Sequence, residues 1–422
     1  MRGESRRGFS ACGQRAESRL RSLTTRPETA SFVWPGAVLG AVIALGLLDQ
    51  QVVTPLIAAL AAGLGVGVAD VGLAISAYSF AAAAAALVMG PLSDAQGRRP
   101  YLLLGAALML TAAAVIALTP SYAAFVVARI AAGFAGGTIA ALAVAWVADL
   151  VPYQRRGKVM AFLMGGAMGA AILGQVGAAF AAARFGHPLV YAALALLAAL
   201  TLAMLCALPE GGSRENTRGP FGRQLAGHLE FLRSPVHRTA AFAAFCMSGS
   251  LVGISAYASG WLQEVRGFSL EQVGVLYGGL GAAIMAAQLI AGPLADRLGK
   301  RRFTVLTSGV VAAMTPVLPW LSSTPLVAAL LLFGCLAVAR IAAFTALRSE
   351  LVPRNRRAGF LGFSNVFSQL GIAAAVAAGG LLYPYGFEPV CWLMAGLGLL
   401  ALVLITRVPE PGSAAGTASA NG

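Results

Sequence analysis

The sequence predicts an all-α membrane protein: twelve transmembrane helices arranged as two pseudo-symmetric six-helix bundles. Three observations carry that expectation. Of 422 residues, 58% are hydrophobic and only 11% charged, against roughly 25% charged in a soluble domain, so charge is too scarce to coat a water-facing surface. The apolar residues gather into runs near the roughly 20 residues that a helix needs to cross hydrocarbon. Such runs are far longer than the alternating strands, about 10 residues each, of a membrane barrel. Finally, two motifs recur at almost one offset along the chain.

The runs fall at about 33–58, 70–93, 100–119, 122–148, 158–183 and 188–208, then at about 239–262, 271–293, 303–321, 325–347, 358–382 and 389–406. An even number of spans puts both termini on one side. Assigning the termini and the even-to-odd loops to that side gives it 26 of the 30 Lys and Arg residues, while Arg184 and Arg266 fall opposite. Arg129 and Arg340 sit inside spans. By the positive-inside rule, the termini and central linker are expected in the cytoplasm and the protein in the cell (inner) membrane. The expected plan is a tail over 1–32, a bundle over 33–208, a cytoplasmic linker over 209–238, a second bundle over 239–406 and a tail over 407–422. Residues 1–32 are Arg- and Ser-rich with no apolar core, so they read as a disordered cytoplasmic tail and not as a cleavable signal peptide; a start codon set too early is the alternative.

The formal net charge of +14 does not point to nucleic acid, because the cations are scattered through short loops and form no continuous patch. Cys206, Cys246, Cys335 and Cys391 lie in apolar segments, and Cys12 in the tail; none has a CxxC or Cys/His spacing. His187, His228 and His237 lie at segment ends or in the linker. No metal or cofactor is expected. No cluster of His, Asp or Cys suits catalysis, and no Gly-x-x-x-x-Gly-Lys-Ser/Thr loop is present for nucleotide use, so the chain does not read as an enzyme.

The repeat is specific. Gly90-Pro-Leu-Ser-Asp94-Ala-Gln-Gly97-Arg98-Arg99 follows span two, and Gly292-Pro-Leu-Ala-Asp296-Arg297-Leu-Gly299-Lys300-Arg301 follows span eight, at an offset of 202. Asp149-Leu-Val-Pro-Tyr-Gln-Arg-Arg-Gly157 follows span four, and Glu350-Leu-Val-Pro-Arg-Asn-Arg-Arg-Ala-Gly359 follows span ten, at an offset of 201. Two pairs at nearly one offset mean a duplicated six-helix unit, the usual plan of secondary transporters.

At these residues the chain resembles the major facilitator superfamily over about 33–406. The loop after span two matches that family's Gly-x-Leu-x-Asp-x-x-Gly-Arg-Arg signature, with Ala95 where a basic residue usually follows the Asp; the second copy keeps Arg297. Arg129-Ile-Ala-Ala-Gly133 matches the family's span-four motif. Leu48-Asp49-Gln-Gln-Val-Val-Thr-Pro55 looks like the span-one pattern of its drug:proton antiporters. Gly165-Gly166-Ala-Met-Gly169-Ala-Ala-Ile-Leu-Gly174-Gln175 resembles the Gly-rich span-five motif of that branch, except that Gln175 stands where Pro is expected. The resemblance implies alternating access, a small-molecule substrate carried with protons, and a monomer in the bilayer.

A carboxylate at Asp94 beside Arg98 and Arg99 can face a helix end while pairing with a guanidinium. The resemblance makes Gly90, Asp94, Gly97, Arg98 and Arg99, with Asp296, Arg297, Gly299 and Arg301 in the second copy, a latch between the halves on the cytoplasmic side. The glycines are expected to let helix ends approach closely.

Ionisable groups within a span cost about 2.5–3.5 kcal/mol on insertion scales and mark functional candidates. Counting 1.5 Å per residue, Asp49 lies roughly 24 Å and Arg129 roughly 30 Å from the cytoplasmic face, close enough to share a layer. Asp49 is the expected proton carrier and Arg129 the cation that holds its affinity in range, the competing reading being a permanent ion pair. Gln175, Tyr257, Gln288, Asn365 and Gln369, with Arg340, are the polar groups expected along a substrate pathway; interhelical hydrogen bonds are the plainer role for each. Gly133/Gly137 and Gly165/Gly169 read as close-packing pairs. The expected function is proton-coupled efflux of amphipathic compounds or drugs, with proton-coupled uptake of a polar metabolite as the alternative.

Overall fold

A computed structural model describes residues 28–151, 153–208, 227, 228 and 230–410. Twelve of its helices are long and apolar enough to cross a membrane, and no strand occurs among the described residues. In chain order they are α1 (Glu28–Leu64), α2 (Val68–Gln96), α3 (Arg99–Leu118), α4 (Tyr122–Leu150), α5 (Tyr153–Phe185), α6 (His187–Cys206), α7 (Pro235–Glu264), α8 (Leu270–Leu298), α9 (Lys300–Met314), α10 (Ser323–Glu350), α11 (Arg357–Leu382) and α12 (Phe387–Thr406). Most of the expected N-terminal tail, linker residues 209–226 and the chain beyond 410 lie outside the described residues.

Every predicted span has its helix, and the differences are at the ends. Helix α1 starts earlier and runs on to Leu64, because the apolar pattern continues through Ala58–Leu64 without a breaker. Helix α7 begins inside the expected linker, at Pro235, whose missing N–H costs nothing in a first turn. Helix α9 stops at Met314 and finishes as a 3-10 segment over Thr315–Trp320. Pro316 and Pro319 lack the N–H that an α-helix would use there.

The pairings repeat between halves. In α1–α6 the closest neighbours are α2 with α4, α1 with α5, α3 with α6 and α3 with α4; α7–α12 repeats them as α8 with α10, α7 with α11, α9 with α12 and α9 with α10. Small residues set the tightest crossings. A Cβ on Gly133 or Gly137 of α4 would run into the carbonyl oxygens of Tyr78 and Ala82 on α2. In the other half, a Cβ on Gly371 of α11 would strike the Phe245 carbonyl of α7. Without a hydrophobic force between helices in lipid, this backbone-to-backbone contact is the main source of cohesion. Large apolar side chains are exposed instead, among them Phe80, Leu118 and Trp392, as lipid requires.

The halves meet through α2 against α11, α5 against α8 and α1 against α7. Named contacts between them cluster at the end opposite the chain termini. There Gly274, Gly278 and Gly281 of α8 sit on Ala179, Val176 and Ile172 of α5, and Gly260 of α7 sits on Val68 of α2. Ser259 and Gln263 of α7 donate to the Pro55 carbonyl of α1 at 3.3 and 3.2 Å. Toward the termini, Gly90 of α2, Gly165, Gly166 and Gly169 of α5, Gly292 of α8 and Gly362 of α11 have nothing within 4 Å of where a Cβ would stand. Gly165/Gly169 therefore do not form the close-packing pair expected of them, because α5 stands away from α8 at this end.

Candidate transport pathway and membrane-interior charges

Helices α1 and α4 bring Asp49 and Arg129 together. Nη1 of Arg129 donates to both carboxylate oxygens of Asp49 at 3.2 Å. The two residues are 2% and 1% exposed. The guanidinium carbon lies 4.2 Å from the centre of the Tyr78 ring on α2, a cation–π contact, and the fully buried Tyr191 of α6 is within electrostatic range of both charges. The layer shared by Asp49 and Arg129 was legible from helix rise alone. Their setting was not: the pair is enclosed inside the first bundle, with Tyr78 of α2 and Tyr191 of α6 beside it.

Two residues along α1 from Asp49, Gln51 accepts at Oε1 from Gln175 of α5 at 2.6 Å. Gln175 thus takes the plainer role of an interhelical bond. Gln51 was missed, although it is one of the two glutamines that follow Asp49 in the span-one pattern. Tyr257 departs from its expected place on the pathway. It is wholly buried at the sealed end, its hydroxyl donating to the Val376 carbonyl at 2.7 Å and reaching toward Gly72 of α2 in the opposite half. Gln288 of α8 and Asn365 of α11 are exposed, and Gln369 is half-buried one turn after Asn365.

Arg340 of α10 is 0% exposed. Its Nη2 donates to Ser250 Oγ of α7 at 2.9 Å and, more weakly, to the Met247 carbonyl at 3.4 Å. Arg348, two turns on, was counted from sequence as a loop charge that sets topology; it is instead 6% exposed within α10. It donates to Ser364 Oγ of α11 and to Thr345 Oγ1. It lies in the last turn of α10, and the side of the helix it occupies, not its place along the chain, is what buries it.

At the termini end the duplicated motifs build matching ties. Arg98 Nε lies 2.5 Å from Asp149 Oδ2 and Lys300 Nζ lies 2.5 Å from Glu350 Oε1, so the two motif pairs read from sequence are salt-bridge partners in each half. Arg99 donates to the Cys206 carbonyl at the end of α6, and Arg301 to the Thr406 carbonyl at the end of α12, each a cation on a helix C-terminus. Asp296 is an exposed neighbour of Lys300 at 3.9 Å, and Arg297 is exposed. The Asp94 side chain lies outside the described residues. Gly97 and Gly299 adopt φ of 93° and 87°, which L side chains rarely adopt. Backbone conformation, and not the close approach expected, is what requires glycine at Gly97; Gly90 stands in open space. In this conformation the ties named here bind helices within a half and do not cross between halves.

A cleft of about 630 Å³ opens between α1 and α5, lined by Gly36, Gly40, Ala44, Phe162 and Gly166, with Lys158 its charged member. Its walls are apolar, and it lies toward the termini, where the halves are apart.

The model of the Major Facilitator Superfamily matches residues 39–339 and 272–421. An uncharacterised MFS-type transporter of Bacillus subtilis, YwfA, is 26% identical over 367 residues, which are 84% of this chain and 87% of the relative. The multidrug resistance protein MdtL of Klebsiella pneumoniae is 32% identical over 106 residues, a quarter of this chain and 27% of that one. Among solved structures, the inward-open conformation of the xylose transporter XylE of E. coli superposes with a TM-score of 0.71 at 17% identity, over 90% of this chain and 96% of that one. That likeness is one of fold.

Proposed function

The chain belongs to the major facilitator superfamily, and from that premise we propose that it is a proton-coupled exporter of small amphipathic compounds working by alternating access. The single observation that carries the coupling is the Asp49–Arg129 pair, a carboxylate held at 3.2 Å from a guanidinium in the membrane interior. A permanently ionised pair is expensive there and rarely improves stability over apolar packing, so its retention fits a group that exchanges a proton. Protonating Asp49 leaves Arg129 with the Tyr78 ring and no counter-charge, which raises the cost of the present packing of α1 on α4 and favours a rearrangement.

The contacts at one end and the unmet glycines at the other supply the second half of the mechanism. Gly165, Gly166 and Gly169 on α5 and Gly292 on α8 are small residues with nothing against them. Closure of the termini end brings those surfaces together as the contacts around Gly278 open. With the termini in the cytoplasm, as the charge asymmetry favours, the described state faces inward. Export is favoured over uptake by the Leu48–Pro55 pattern, by the partial similarity to MdtL and by the apolar cleft beside α5. The uptake alternative draws on the fold likeness to XylE; against it stand the few amide groups that face the open end.

The test is reconstitution in liposomes with an interior pH dye under an imposed pH gradient, with cationic, anionic and neutral amphiphiles and neutral metabolites added in turn. Proton flux that needs an amphiphile and vanishes in Asp49→Asn is expected. Flux driven by neutral metabolites would turn the reading to symport, and solute movement indifferent to the gradient would remove the proton.

A further inference from the structure

The two bundles treat buried positive charge differently. In α1–α6, Arg129 has a carboxylate. In α7–α12, Arg340 and Arg348 are both buried, and the partners that their hydrogen bonds reach are neutral: Ser250, the Met247 carbonyl, Ser364 and Thr345. Nε and Nη1 of Arg340 and Nε of Arg348 make no hydrogen bond although no solvent reaches them. Acidic residues on the surrounding helices are remote or engaged. Glu264 of α7 lies at the sealed end, bonded by the Tyr383 hydroxyl, about 21 Å along the helix from Ser250. Glu350 of α10 is held by Lys300. Hydroxyls can satisfy N–H groups, but they do not neutralise a guanidinium, and in a low-dielectric interior that net charge attracts an anion strongly.

We infer that Arg340, supported by Ser250, is an anion-binding subsite, and that it takes the carboxylate or similarly small anionic group of an amphipathic substrate. The inference rests on the export reading and narrows its substrate class. Arg348 lies two turns, about 12 Å, nearer the open end. Its partner Ser364 adjoins the exposed Asn365, with Gln369 one turn beyond. An anion entering past Asn365 therefore meets Arg348 before Arg340, so charge draws it inward in two steps. The donor nitrogens of Arg340 that are unused in this packing are what a carboxylate would accept from, while the apolar helices hold the rest of the molecule.

The experiment measures binding to the detergent-purified full chain by calorimetry and thermal shift, using benzoate, benzylammonium and benzyl alcohol as size-matched probes and sodium chloride against sodium gluconate as a separate arm. Benzoate is expected to bind and raise Tm where the other two aromatics do not. Arg340→Gln and Arg340→Lys are expected to weaken it roughly 10- to 100-fold, the loss of a charge-assisted bond, and Ser250→Ala to weaken it less. If a variant fails to fold, benzoate protection of Arg340 from phenylglyoxal in the native chain reads the same contact. Equal binding of the three aromatics, or benzoate affinity unchanged in Arg340→Gln, would overturn the subsite. Protection by chloride without benzoate binding would overturn the substrate assignment. Because binding is read without transport, failure of proton coupling leaves this result standing, and amphiphile-driven proton flux without benzoate binding removes only the subsite.

Discussion

The two halves share helix pairings, motif loops and even the ties at their helix ends, yet their interiors differ in charge. Arg129 faces Asp49 across α1 and α4, whereas Arg340 faces Ser250 across α7 and α10. A duplicated scaffold has thus kept its surface devices and diverged inside. On the proposed reading, the first bundle carries a neutral pair that can change by one proton and the second a cation that can change by one anion, so that one chain couples two cargoes.

The largest effect that sharpens this contrast is on stability. Asp49→Asn should destabilise the fold by about 3–5 kcal/mol, since it strands a buried guanidinium, and Asp49→Asn combined with Arg129→Gln should recover most of that loss without recovering proton-driven flux. Arg340→Gln should do the opposite, holding stability or raising it by up to about 2 kcal/mol, because it removes an uncompensated charge. Thermal unfolding of the three proteins in one detergent measures both. Equal losses in Asp49→Asn and Arg340→Gln would erase the distinction between halves.

A smaller pair of effects separates packing from gating. Gly133→Val places side-chain atoms on the Tyr78 backbone and should cost about 1–3 kcal/mol of stability. A Cβ at Gly166 meets nothing within 4 Å, so Gly166→Val adds its volume to open space. It should leave Tm in place and slow transport, since the added volume obstructs only the closed form of the termini end. An unchanged transport rate in well-folded Gly166→Val would contradict closure at that surface. At the motif loops, Asp94→Asn should impair transport while membrane insertion stays intact, and Asp296→Asn should do less, its carboxylate being exposed and 3.9 Å from Lys300.

The smallest effect concerns the described part of the linker. Hydrogen bonding and charge from Arg356 hold the Glu230 carboxyl below its ordinary range. A depressed carboxyl contributes stability above its unfolded-state value, and that contribution fades as pH falls through the folded value. Comparison of wild type with Glu230→Gln across acidic pH should show a slight loss confined to that window and none near neutrality, as befits an exposed pair.

The sequence made most of the scaffold legible. Span length follows from bilayer thickness, and the repeat follows from where motif residues recur. Asp49 and Arg129 could be paired from helix rise, since depth along a helix is linear in residue number. Azimuth is what a one-dimensional count does not fix. It decides that Tyr257 lies in the sealed end, that Gln175 turns to Gln51, that Arg348 is buried between α10 and α11, and that the ion pair faces its own bundle. Conformational state was equally hidden: the glycines of α5 look the same in sequence whether α8 is against them or apart.

The most direct test of the account is the separation of spin labels on two pairs of sites in a cysteine-free background, Lys158 with Leu298 at the termini end and Arg184 with Ser269 at the other. Each pair joins α5 to α8 or, at Ser269, to the residue that caps it. On acidification the first distance should shorten as the second lengthens in the otherwise native protein, and both should stay fixed in Asp49→Asn. The same opposed movement in Asp49→Asn as in the native protein would contradict the claim that protonation of Asp49 governs which end is open.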